Sequence, residues 1–112
     1  MESPNEYSLE FLPIALNDIT EIVSSFIMFE SKQGAIRIKE HISKAAEQIR
    51  LFPYSGIVIQ DDIFVKTDFR VIIVEKYLLF YKVFEVEKKV IIYRILNGKR
   101  DFATLIKVLA EK

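Results

Sequence analysis

The chain has no cysteine and no tryptophan, and only three glycines, three prolines and one histidine among its 112 residues. Without cysteine, neither a disulfide framework nor a thiolate metal site can form, and the composition suits a reducing cytoplasm. A single histidine, His41, cannot build a histidine-based zinc site or a Cys–His pair. Sitting beside the apolar stripe Ile38, Ile42 and Ala45, it reads as a helix-edge side chain. The glycines, Gly34, Gly56 and Gly98, are scattered, so there is no glycine-rich phosphate loop. Asp61-Asp62 is the one acidic pair that invites a metal reading, but two adjacent carboxylates in a polar loop are far more often just solvated charge. No metal and no cofactor are expected. Long apolar runs are also missing. The longest are of strand length, far short of the roughly 20 residues a bilayer span requires, so no membrane partner is expected. The first residues, Met1 to Tyr7, lack the basic-then-apolar layout of a secretory signal, which again places the chain in the cytoplasm.

Neither sign of charge is in excess, with sixteen basic against sixteen acidic residues, but the distribution is uneven. Residues 1–60 hold eight acids and five bases, and residues 61–112 hold eight acids and eleven bases, a net of −3 against +3. The basic half suits a polyanion or an acidic protein segment as partner.

What the chain does have is apolar patterning: 51% of its residues are hydrophobic. Its length suits one domain spanning residues 1–112. Three apolar runs of strand length, Phe69–Val74, Tyr77–Phe84 and Val90–Leu96, are separated by the short charged breaks Glu75-Lys76 and Glu85–Lys89. Their Val, Ile, Tyr and Phe content suits a pleated surface, and breaks this short join antiparallel neighbours. Upstream, Tyr7–Phe11 alternates as a short strand does. Pro13 then opens a helix whose apolar residues are Ala15, Ile19, Ile22, Val23, Phe26 and Phe29. After a break at Ser31–Gly34, a second helical stripe runs Ala35, Ile38, Ile42, Ala45 and Ile49 until Phe52-Pro53 stops it. Pro53–Gly56 is a turn and Ile57–Ile59 an edge segment. Phe102–Leu109 reads as a short C-terminal helix with Asp101 as its N-cap. The expected fold is therefore α+β, ordered β-α-α-β-β-β. An N-terminal strand and an αα-hairpin pack on a twisted antiparallel sheet, and a short C-terminal helix follows.

Cationic residues punctuate the meander at Arg70, Lys82, Arg94, Lys99 and Arg100. A two-residue turn at Glu75-Lys76 places Arg70 opposite Tyr81 on one face, whereas the register of Arg94 stays open. Two readings follow. Arg70, Tyr81, Arg94, Lys99 and Arg100 form a cationic surface with an aromatic ring, suited to a phosphate backbone or a base. Alternatively they cover sheet edges, with their charges paired to Asp68, Asp101 or Glu87.

The order of these elements, with LFPYSG (51–56), FRVIIVEKYLLFYKV (69–83) and VIIYRILNGKRD (90–101), resembles the RelE/ParE superfamily of bacterial type II toxins. The resemblance covers nearly the whole chain. It implies a cytoplasmic growth inhibitor serving plasmid maintenance or stress response, bound by a cognate antitoxin in a toxin–antitoxin hetero-oligomer. RelE-type members cleave ribosome-bound mRNA with basic side chains and often a tyrosine, and ParE-type members poison DNA gyrase. Arg100 matches a RelE-type catalytic arginine, but the other two expected positions are Leu78 and Ile106. Such cleavage needs a group to activate the 2′-hydroxyl and a cation at the phosphate, and neither residue supplies one. The resemblance thus leans to a ParE-like gyrase inhibitor with Arg70, Lys82, Arg94, Lys99 and Arg100 as target contacts. Its alternatives are a ribosome-dependent endoribonuclease drawing its catalytic groups from Arg70, Tyr81, Tyr93, Arg94 and Arg100, or a degenerate member that only binds antitoxin.

Overall fold

A computed structural model describes residues 6–59 and 68–101 of the chain. Strand β1 (Ser8–Phe11) leads into helix α1 (Pro13–Phe29) and helix α2 (Lys32–Leu51). A single 3-10 turn, Pro53–Ser55, connects these to β2 (Ile57–Val58), β3 (Arg70–Val74), β4 (Tyr77–Phe84) and β5 (Lys89–Asn97). The strands form one sheet in the order β1-β5-β4-β3-β2. The predicted C-terminal helix Phe102–Leu109, with Ile106, and the Asp61-Asp62 pair lie outside the described residues. No helix among the described residues is long and apolar enough to cross a membrane.

The α+β class and the element order are as expected, and two details differ. The sheet is mixed, because β1 pairs in parallel with β5, from Ser8↔Lys89 to Phe11↔Ile92. The short-break argument holds only within β3–β5; the helical hairpin and three strands separate β1 from β5, enough chain for a parallel return. Helix α2 also begins three residues earlier than its apolar stripe. Ser31 caps it by accepting the Gly34 N–H at 2.9 Å, so the predicted break at Ser31–Gly34 contracts to the cap itself. Glycine is required here for another reason. A Cβ on Gly34 would stand 2.9 Å from the Phe26 ring, so the two helices reach this spacing only without one.

Both faces of β4 are apolar, and the strand separates two clusters. Leu79 and Tyr81, with Val90, Ile92 and Ile95 of β5, pack against Ala15, Ile22 and Phe26 of α1 and Ile38, Ile42 and Ile49 of α2. On the opposite face Phe80 joins Phe69, Val71 and Leu96. The β4–β5 register slips at Phe80/Tyr81, where Phe80 pairs with Arg94 and Tyr81 with Ile92. Tyr93 is the extra residue of this bulge, which is why strict alternation could not place Arg94.

Beyond Phe11 the chain turns away from β5 into α1, after the Leu12 N–H donates to the Ile92 carbonyl at 3.0 Å. The next stretch of the β5 edge has no strand beside it. Asp18 of α1 takes that place, accepting the Ile95 N–H at 3.0 Å and both nitrogens of the Arg94 fork at 2.8 and 2.9 Å. It is the one charged side chain that is buried among the described residues. Removing it strands a guanidinium and a strand N–H away from water. We expect Asp18→Ala to lower unfolding free energy by about 3 kcal/mol and Asp18→Asn, which keeps an acceptor for Ile95, by about half as much. Urea unfolding of the two variants beside the parent measures both.

Candidate functional site

The structure does not gather the predicted cationic residues on one surface. Although Arg70 lies opposite Tyr81 as the turn length predicts, Tyr81 is fully buried on the helix face. Its hydroxyl donates to the Pro53 carbonyl at 2.7 Å and accepts the Gly56 N–H at 2.8 Å. Burial also raises its pKa. A side chain on Gly56 would run into the Tyr81 ring, so that glycine is the condition for this contact. Arg70 turns the same way. Its guanidinium lies 4.9 Å from the Tyr54 ring and donates to the carbonyls of Gly56 at 2.9 Å and Tyr54 at 3.2 Å. Both residues fasten the turn after α2 to the sheet.

Glu85, at the end of β4, extends this fastening. One carboxylate oxygen accepts the hydroxyls of Tyr7 and Tyr54, each at 2.5 Å, and the other accepts Lys88 at 2.7 Å. Tyrosines, a carboxylate and a lysine would make an acid–base set if their pKa values approached neutrality. Here Glu85 and Tyr54 move apart. The Lys88 ammonium, followed by the two phenols, holds Glu85 down at about 2, and Glu85 pushes Tyr54 up to about 12. Both shifts run away from neutrality, as suits a cluster that ties structure together.

Lys82 and Tyr93 lie on the face of the sheet away from the helices. The Lys82 ammonium is 4.7 Å from the Phe69 ring and 5.4 Å from that of Tyr93, and the two rings meet edge to face at 5.1 Å. Burial raises the Tyr93 pKa, which removes it further from base chemistry. Leu78, at a position where the superfamily's nucleases carry arginine, packs in the same apolar cluster.

The third group stands at the end of β5. Arg94 is committed to Asp18, a partner that sequence reasoning did not single out. The available signal was position: residues 15, 18, 22 and 26 form one helical stripe, and the other three are apolar and buried. Past Asn97 the chain makes a tight turn. The Asn97 Oδ1 accepts the N–H groups of Lys99 at 2.9 Å and Arg100 at 2.8 Å, and Asp101 Oδ2 accepts the Asn97 N–H at 3.0 Å. Asp101 also takes the Arg100 fork at 3.0 Å on each oxygen. This turn, with Lys76 from the β3–β4 turn, lines an open cavity of about 660 Å³. Sequence reasoning missed Lys76, although the two-residue hairpin already placed it at this end of the sheet. Among the candidates, Lys99 and Arg100 are thus the ones displayed outward from a rigid support, with the Arg100 side chain 63% exposed. The arrangement can hold an anionic surface.

Residues 9–102 match the family described as ParE toxin of type II toxin-antitoxin system, parDE. Among solved structures the chain is similar to one described as a chromosomal ParDE TA system from P. aeruginosa, with a TM-score of 0.68 at 16% identity. That match covers 83% of this chain and 97% of the other, and at such identity the likeness is one of fold. No curated protein matches.

The Glu85 cluster sets an acid limit on the fold. A carboxylate whose folded pKa lies below its ordinary 4.5 adds stability that is complete above that value and lost as pH falls through about 2. We expect the urea midpoint to fall across that window, and to fall less steeply in Glu85→Gln. Unfolding curves at successive pH values measure the difference.

Proposed function

The chain belongs to the ParE toxin family of type II toxin–antitoxin systems, and from that premise we propose that it arrests growth by binding DNA gyrase in the cytoplasm. A cognate antitoxin holds it inactive in a toxin–antitoxin complex. The observation that supports inhibition by binding over cleavage is the fate of the candidate catalytic groups. Tyr81, Arg70 and Arg94 are bonded into the fold, Tyr93 and Lys82 pack on each other and on Phe69, and the carboxylate beside Arg100, that of Asp101, is taken up in a two-point ion pair with it. A ribosome-dependent nuclease needs a proton acceptor and a phosphate-stabilising cation within reach of one substrate. Among the described residues the cation at Arg100 comes with the Asp101 carboxylate, which that same arginine holds below its ordinary pKa and so makes a weaker proton acceptor.

The contact surface in this reading is the turn after β5, carrying Lys99 and Arg100. Arg94 supports it from behind through Asp18, while Arg70 and Lys82 serve other parts of the sheet. Inducing the chain without antitoxin, and following DNA, RNA and protein synthesis over the first minutes, tests the proposal. DNA synthesis should fall first, with a DNA-damage response and intact mRNA, and Arg100→Ala should lessen the effect without lowering the thermal midpoint. An early fall in protein synthesis with mRNA cut at codon boundaries, or no growth effect at all, overturns it.

A further inference from the structure

The two turns at one end of the sheet carry more charge than the fold uses. Tyr77 faces Asn97 in register, and the Gly98 N–H donates to the Lys76 carbonyl at 3.2 Å, so the β3–β4 turn lies against the turn that follows β5. Glu75 has a positive φ of 57° and directs its carboxylate toward α2. Arg37 at 3.0 Å and His41 at 2.7 Å hold it there. Lys76 is thereby separated from its acidic neighbour and joins Lys99 and Arg100 around the cavity. Among the described residues, neither Lys76 nor Lys99 lies within ion-pair distance of a carboxylate. The support is rigid, since the Asn97 side chain and Asp101 bond the turn to itself. Arg100 already carries a carboxylate in bidentate geometry, that of Asp101, which is the kind of ligand its planar fork is shaped to take.

We propose that Lys76, Lys99 and Arg100 form a seat for an acidic protein segment, one presenting successive Asp or Glu side chains, with Asp101 occupying the Arg100 fork until a partner carboxylate replaces it. This rests on the reading of the chain as an inhibitor that acts by binding a protein. A nucleic acid fits the seat less well. Binding single strands calls for a ring on which bases stack, and the adjoining aromatic residue, Tyr77, is buried to 4% exposure. A chain with zero net charge also lacks the broad positive field that draws in a phosphate backbone.

The test titrates a fluorescently labelled oligoglutamate, and separately an RNA oligonucleotide of equal charge, into the full chain, with a gyrase supercoiling assay in parallel. We expect Lys76→Gln and Lys99→Gln each to weaken peptide binding about twofold to fivefold, the range of an exposed charge pair. Asp101→Asn, which keeps an acceptor for the Asn97 N–H and removes the competing charge, should strengthen it by a similar factor. Lys39→Gln, at an exposed position of α2 that does not line the cavity, should change nothing, and all four variants should keep the parent's thermal midpoint. Raising ionic strength from about 0.05 to about 0.5 M should weaken the peptide complex as screening shortens. The seat is overturned if Lys76→Gln has no more effect than Lys39→Gln, if Asp101→Asn weakens binding, or if the RNA binds more tightly than the peptide. Gyrase inhibition that survives Lys76→Gln with Lys99→Gln while peptide binding is lost also overturns the seat as the gripping surface, and leaves the gyrase reading standing. Peptide binding mapped to these residues, with no inhibition of gyrase, supports the seat and removes gyrase as its target.

Discussion

One carboxylate fixes the geometry of the sheet's most important strand. Where β1 ends and the chain enters α1, the edge of β5 loses its neighbour, and Asp18 replaces the missing strand with a side chain. A buried carboxylate is costly unless it is fully bonded, and here Arg94 and the Ile95 N–H saturate it. The same interaction sets the angle of α1 on the sheet and stabilises the bulge that turns Arg94 out of strict alternation. It also holds the last turn of β5 against the helix layer. The Asn97–Asp101 turn, with its exposed cations, is anchored through this bond.

The rest of the molecule divides into one end that is closed and one that is open. At the closed end, Tyr7, Tyr54, Tyr81, Arg70, Glu85 and Lys88 spend their polar atoms on each other and on the backbone of Pro53–Gly56. Three tyrosines there fasten the turn after α2 and the start of β1 to the sheet by directed bonds, to which Tyr7 and Tyr81 add buried rings while the Tyr54 ring stays exposed. At the open end the pairing is incomplete. Glu75 turns its charge toward α2, and the lysines it leaves behind face solvent. A protein recognising other proteins needs this asymmetry, because a surface whose charges are all internally satisfied has little left to offer a partner.

Much of the fold could be read from the sequence because its signals are local. The two-residue break at Glu75-Lys76 fixed the β3–β4 register down to Arg70 opposite Tyr81, and the apolar stripe of α2 named its buried face. What could not be read depends on distant partners. The parallel pairing of β1 with β5 joins the two extremes of the described chain, and no periodicity encodes it. Asp18 looks like an ordinary polar residue on an amphipathic helix until Arg94 is placed beside it, 76 residues away. Tyr81 and Arg70 look available for chemistry in a list of polar residues. The carbonyls and N–H of the Pro53–Gly56 turn take them up, and backbone atoms leave no trace in side-chain patterning. Of the candidate surface, Lys99 and Arg100 were legible as a charged strand end. Lys76 was not, because its relevance arises only when two turns are hydrogen-bonded side by side.

The pairing of β1 with β5 has a consequence in time. β1 is made before β5, with both helices and three strands between them, so the sheet stays incomplete until β5 has been made. The contacts that close it, Tyr7 with Glu85 and Asp18 with Arg94, span 78 and 76 residues. Closing such loops is slow compared with forming the helical hairpin, which assembles early from near neighbours. During synthesis the hairpin therefore waits with its apolar face uncovered, a state prone to association with other chains. The turn bearing Lys99 and Arg100 is oriented only when Arg94 reaches Asp18. The exposed cations of that turn therefore take up their place on the sheet only at the last of these closures, after the helices and β3 and β4 are already in position.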